Sequence, residues 1–138
     1  MRLLAVDFGF TRIGLAVGET EPQAGSARQP LKAAGSLKKD AEAIAEVAKR
    51  EEAEAIVLGL PLESDGQEGR MARICRSLCS QIETLGFAVH LVDESLSSVE
   101  AQRGLLEGGV KASRRRRLVD GEAALVILDR YLHEQATS

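Results

Sequence analysis

Cysteine and histidine are scarce here, two of each in 138 residues. Cys75 and Cys79 are four apart in a stretch with helical periodicity. Successive turns of one helix give poor disulfide geometry, and two ligands alone do not make a zinc site. The pair is therefore expected to pack a helix. His90 alternates with apolar neighbours in FAVHLV, the setting of a hydrogen-bonded structural histidine, and His133 falls in the last turns of a helix, where the dipole favours a cation. With no nucleophile beside a positioned base, covalent catalysis is excluded from the reading. No apolar run approaches the roughly 20 residues that span a bilayer. The opening MRLLAVDF meets an aspartate too early for a secretory apolar region, so a cytoplasmic protein is expected. There is also no internal repeat and no low-complexity linker, and the length suits one core and not two, so residues 1–138 are expected to form a single domain.

Excess charge is lacking as well. The net charge is −3, with 44% hydrophobic and 28% charged residues, the balance of a folded protein and no obvious polyanion binder. The sign is unevenly spread, however, because residues 113–117 read SRRRR. A local basic cluster can bind phosphate even when the total is acidic. The alternative reading is a solubilising surface turn.

Hydrophobic periodicity supplies the elements. RLLAVDF (2–8) and RIGLAVG (12–18) are apolar strands joined by a tight link, an antiparallel hairpin. A third strand falls within 24–33, where Pro30 argues for a sheet edge. KKDAEAIAEVAKREE places Ala41, Ile44, Ala45 and Ala48 on one helical face, and AIVLGLP is a buried strand. The polar link LESDGQEG could offer backbone N–H groups to a phosphate or be an ordinary connection. A helix with Met71, Ile74, Leu78, Ile82 and Leu85 follows, closed by Gly86, and then the strand FAVHLV. Ser97 with Glu100 is a capping box for a short helix that stops at Gly108-Gly109. The basic stretch KASRRRR reads as a loop leading into a last helix with Leu118, Leu125, Leu128 and Leu132 on its apolar face. The order βββαβαβαα predicts an α/β fold whose mixed sheet has helices on its faces.

Three carboxylates stand out by position: Asp7 near the end of the first strand, Glu94 just after the last, and Asp120 early in the final helix. A carboxylate in an apolar strand loses several kcal/mol on dehydration unless something positive compensates it. The first, fourth and fifth strands are expected to run the same way, so Asp7 and Glu94 reach the same sheet edge, where ligands of open α/β sheets collect. Three converging acids repel one another, and a hard cation such as Mg²⁺ or Mn²⁺ resolves the conflict. Gly9 and Gly59 would leave room beside such a site. Asp93 competes with Glu94, because adjacent strand residues point to opposite faces and the register is open.

The stretches DFGFTRIGLAVG, IVLGLPLESDGQEG, VDESLSSVEAQ and VDGEAALVILDRYL, in this order and over nearly the whole chain, resemble the YqgF/RuvX family of RNase H-like proteins. The resemblance implies a ribonuclease H-like fold with a mixed five-stranded sheet, an antiparallel meander plus parallel strands. It implies a metal-dependent nuclease, an endonuclease acting on the precursor of small-subunit ribosomal RNA, and kinship with Holliday junction resolvases that act on branched DNA. By the family pattern Asp7, Glu94 and Asp120 are catalytic and hold two Mg²⁺ or Mn²⁺ ions. Arg12 matches the basic residue of the first hairpin and, with Arg114, Arg115, Arg116 and Arg117, is expected to contact nucleic acid. The family's arginine after the glutamate is replaced by Ser95, which removes one positive charge from the expected site. The expected partner is nucleic acid, with no membrane, for a monomer or weak homodimer.

Two rivals remain. DFGFTRIG also resembles the phosphate-binding hairpin of the sugar kinase, actin and chaperone ATPases, which close two such domains around ATP where this chain supplies one. The other is a non-catalytic nucleic-acid-binding or ribosome-assembly factor that uses its arginines alone.

Overall fold

The computed structural model describes residues 1–21, 23–93 and 112–137, without the side chains of 112–120, 136 and 137. Five strands form one sheet: β1 (Arg2–Phe8), β2 (Arg12–Thr20), β3 (Gln23–Lys32), β4 (Ala55–Leu60) and β5 (Ala88–Asp93). Helix α1 (Leu37–Arg50) lies between β3 and β4, α2 (Arg70–Thr84) between β4 and β5, and α3 (Ala112–Thr137) ends the described chain. The expected helix that begins at Ser97 lies outside the described residues.

The spatial order is β3-β2-β1-β4-β5, with β1 antiparallel to β2, β2 antiparallel to β3, and β1, β4 and β5 mutually parallel. β1 thus sits at the centre and the Pro30 strand at an edge, where a residue without an N–H breaks no inner ladder. Among the described residues no helix is long and apolar enough to cross a membrane.

Strand alternation divides the core in two. Leu4, Val6, Phe8, Ile13, Leu15, Ile56 and Leu58 face α1 and α2, meeting Ala41, Ile44 and Ala48 of α1 and Cys75, Leu78 and Ile82 of α2. Leu3, Ala5, Ala16, Ala55 and Val57 face α3, meeting Ala124, Ile127, Leu128 and Tyr131. Both cysteines are free and buried on the α2 stripe, as the spacing predicts. Burial, with Glu83 adding to it, pushes the Cys79 thiol up. Leu85 departs from its predicted stripe: it caps α2 and is exposed, because the helix ends at Thr84 and Gly86 turns away with φ +97°.

The third helix also departs from expectation. Residues 112–117 are helical and form no basic loop, so Arg114 to Arg117 belong to the first turns of α3. Arginine is a good helix former, and neither proline nor glycine interrupts Ala112 to Asp120. The helix crosses the sheet diagonally. A Cβ on Gly121 would lie 2.8 Å from Cβ of Ala27 on β3. At the far end the Tyr131 ring stacks on His90 of β5 with centroids 5.1 Å apart, and Nη1 of Arg130 donates to the Asp93 carbonyl at 2.7 Å. His90 is thereby held by packing.

Candidate active site at the carboxyl edge of the sheet

Asp7 is the next-to-last residue of β1 and follows Leu3 and Ala5 onto the face covered by α3. Its cross-strand partner on β2 is Gly14. On the other side, Val6 pairs with Leu58, so Gly59 of β4 is the next residue beside Asp7. The in-sheet neighbours on both flanks of this half-buried carboxylate are therefore glycines, which carry no Cβ to crowd it.

Arg12 shares that face, because Ile13 and Leu15 alternate to the other one. It stands two residues beyond Gly14 on β2, toward the hairpin turn. Directly across from Arg12 in register is Lys32 of β3, an exposed residue. Cross-strand partners project to the same side, so two cations stand next to one another at the edge that carries Asp7. Lys32 was not in the sequence-derived set. Its signal is the alternation after Leu31 combined with the register of two consecutive hairpin pairings, and only the folded sheet supplies the second.

The competition between Asp93 and Glu94 can be judged from the face each strand residue takes. Val92 belongs to the α3 face, whereas Val89 and Leu91 pack on the α1 and α2 side. Asp93 follows Val89 and Leu91, onto the face opposite Asp7. Glu94 and Ser95 lie outside the described residues. Asp120 is on α3, four residues before the buried Ala124, and its side chain is outside the description, as are those of Arg114 to Arg117. Among the described residues no three His, Cys, Asp or Glu side chains converge on a metal position. Of the proposed set, Asp7 and Arg12 are the members whose placement is described, and they share one face and one edge.

In the polar link after β4, three backbone donors are spent within the turn. Glu63 N–H donates to the Gln67 carbonyl, Gly66 N–H to the Glu63 carbonyl, both at 2.8 Å, and Gln67 N–H to Oδ1 of Asp65 at 3.0 Å. Donors already spent within the turn are not offered to a phosphate.

A family model described as RuvX, Holliday junction resolvase, matches residues 1–134. The chain belongs to the RuvX family. A relative in Anaeromyxobacter dehalogenans (strain 2CP-C), named "Putative pre-16S rRNA nuclease", is 44% identical over 137 residues, covering 99% of both chains. Among solved structures, RuvC of Thermus thermophilus matches with a TM-score of 0.56 at 18% identity, over 98% of this chain and 97% of that one. The same protein in complex with a Holliday junction substrate matches with a TM-score of 0.56 at 17% identity, over 97% of this chain and 96% of that one. The mixed sheet with its three described helices is an RNase H-like fold.

Proposed function

We propose that this RuvX-family protein is a metal-dependent endonuclease that hydrolyses phosphodiester bonds in the precursor of small-subunit ribosomal RNA, in the cytoplasm. The observation that carries the reading is Asp7: a carboxylate at the carboxyl end of the central strand, flanked by Gly14 and Gly59, with Arg12 on the same face. The name of the 44% identical relative supports ribosomal RNA as the substrate. The family description supports a second reading, resolution of branched DNA.

Asp7, Glu94 and Asp120 would hold divalent cations, Mg²⁺ or Mn²⁺. An all-oxygen donor set suits a hard cation, and the glycine-flanked carboxylate fits that requirement. When bound, such ions lower the pKa of water and neutralise charge at phosphate. Arg12 and Lys32 would bind and orient the backbone through phosphate oxygens without reading sequence, and Arg114 to Arg117 would extend that contact along α3.

The test is cleavage with Mn²⁺ against single-stranded RNA, ribosomal RNA precursor, duplex DNA and four-way junctions, for wild type and Asp7→Asn. The expected outcome is cut precursor RNA with wild type and loss of cleavage by at least about a thousandfold in the variant, which lacks the charge that would hold the metal. Thermal denaturation runs beside it. Mn²⁺ should raise the wild-type midpoint by mass action and leave the variant's nearly unmoved. An Asp7→Asn protein that unfolds without metal would make Asp7 a structural acid and end the catalytic reading, and cleavage confined to four-way junctions would select the second one.

A further inference from the structure

On the side of the edge opposite Asp7 lies a cleft of about 230 Å³, bounded by Phe8 and Phe10 of the hairpin, Leu37 and Asp40 of α1, and Ile74 of α2. Phe10 occupies the turn between β1 and β2 and is 63% exposed. Its ring is braced edge-on by Phe8, with centroids 6.3 Å apart at 75°, and both rings line the cleft. The cleft also has a polar wall that its own fold does not finish using. Asp40 is 3% exposed, and its Oδ1 accepts the Ala34 N–H at 2.8 Å. Its second oxygen, Oδ2, accepts no hydrogen bond among the described residues. A buried carboxylate oxygen without a donor is costly, and a ligand that brings N–H groups relieves the cost.

We propose that this cleft receives one unstacked base of the nucleic acid that Asp7 acts on, and that the base it fits is guanine; the proposal rests on the nuclease reading above. A flat aromatic ring satisfies Phe10, and an edge made of donors satisfies Asp40. Guanine presents N1–H and the 2-amino group side by side, which suits an acceptor-only carboxylate. Adenine and cytosine set a ring-nitrogen acceptor next to their amino group and would bring lone pairs against Oδ2. Uracil flanks its single N–H with two carbonyl oxygens. Reading a splayed base by aromatic stacking plus its pairing edge is how single-stranded RNA is recognised. The placement is also continuous with the site. Phe10 is three residues after Asp7, and Asp7 and Phe8 project to opposite faces of the same strand end. A strand draped over this edge puts a phosphate on the face of Asp7 and Arg12 and the neighbouring base on the side of Phe10.

The experiment is a titration of the ¹⁵N-labelled protein with guanosine 5′-monophosphate, inosine 5′-monophosphate and adenosine 5′-monophosphate, on wild type, Phe10→Ala and Asp40→Asn. Guanosine monophosphate should move the amide signals of Phe10, Gly35, Ser36 and Asp40 and bind more tightly than the other two. Phe10→Ala, an exposed change, should weaken that binding about tenfold. Asp40→Asn keeps an oxygen for the Ala34 N–H but turns the other position into a donor, so guanosine and inosine monophosphates should bind it equally. Shifts confined to the side of Arg12 and Lys32, an unchanged affinity in Phe10→Ala, or equal wild-type affinity for the adenine nucleotide would overturn the proposal. Cleavage of RNA by a protein whose cleft signals never move leaves the nuclease and removes the cleft. Cleft binding without any cleavage does the reverse.

Discussion

The two faces of the sheet are built from different residues. Under α1 and α2 the strands present Leu4, Val6, Ile13, Leu15, Ile56 and Leu58, large side chains that are essentially fully buried. Under α3 they present Ala5, Ala16, Ala55 and Val57 beside a single leucine, Leu3, and Gly18 and Gly25 face each other in register. A Cβ on Gly18 would fall 2.5 Å from the Ala24 carbonyl oxygen and against the Leu128 side chain, so the helix rests almost on the backbone. Large residues keep the first face apart from its helices and fill the gap with apolar volume. Small residues bring α3 down onto the sheet, and at the edge Asp7 lies between two glycines. One face holds the fold together, and the other sets how closely α3 and the charged edge approach one another.

If that division is right, the first face should be the more expensive to damage. Leu58→Ala removes a fully buried side chain between α1 and α2 and should cost about 3 kcal/mol. Chemical denaturation measures it, and a loss below about 1 kcal/mol would say that this face repacks freely. Gly18→Val comes next. It cannot be accommodated without lifting α3 or shifting β3, and overpacking of this kind costs about 1 to 3 kcal/mol. Because α3 also carries Asp120, cleavage should fall by more than the stability loss explains at a temperature where the variant is fully folded. A variant that loses stability but keeps full activity would separate the seat of α3 from the site.

How far the sequence revealed this follows from what each signal depends on. The first hairpin and the edge position of β3 are local in origin, read from alternation, a tight turn and Pro30. The parallel sense of β1, β4 and β5 follows from the helices that connect successive strands. The buried faces of α1 and α2 were legible for the same reason, with Cys75 and Cys79 taking their places as small apolar residues. The start of α3 departs from the expected loop because four adjacent arginines suggest a loop although each favours helix. Lys32 beside Arg12 depends on the β2–β3 register, which pairs residues 20 positions apart and which no local window contains. Asp93 versus Glu94 was likewise a question of face, and the neighbours Leu91 and Val92 had to find their helices before Asp93 could be assigned to the side away from Asp7. The cleft under Phe10 joins residues of β1, α1 and α2, and had no signal in the sequence beyond an aromatic in a turn.

The smallest effect is expected at the opposite end of the sheet, among partly exposed ion pairs. Glu51, which caps α1, accepts Nε of Arg28 at 2.9 Å and Nη2 of Arg2 at 3.1 Å, and Arg2 also reaches Glu19 at 3.1 Å. The hydrogen bond from Arg28 comes first among the causes that hold the Glu51 carboxyl below the ordinary carboxylate range, partly opposed by dehydration and reinforced by Arg2. A carboxyl depressed in the folded state contributes stability above its unfolded pKa, about 4.3, and loses it as pH falls through the lower folded value. Glu51→Gln keeps the shape and removes the charge, so at pH 7 it should cost less than about 1 kcal/mol, as partly exposed pairs do. The thermal midpoints of the two proteins should then converge as pH drops below about 4, while at pH 7 added salt should narrow the gap by screening. A gap that stays constant from pH 7 to pH 3 would mean that Glu51 holds α1 through its geometry and that its charge contributes nothing.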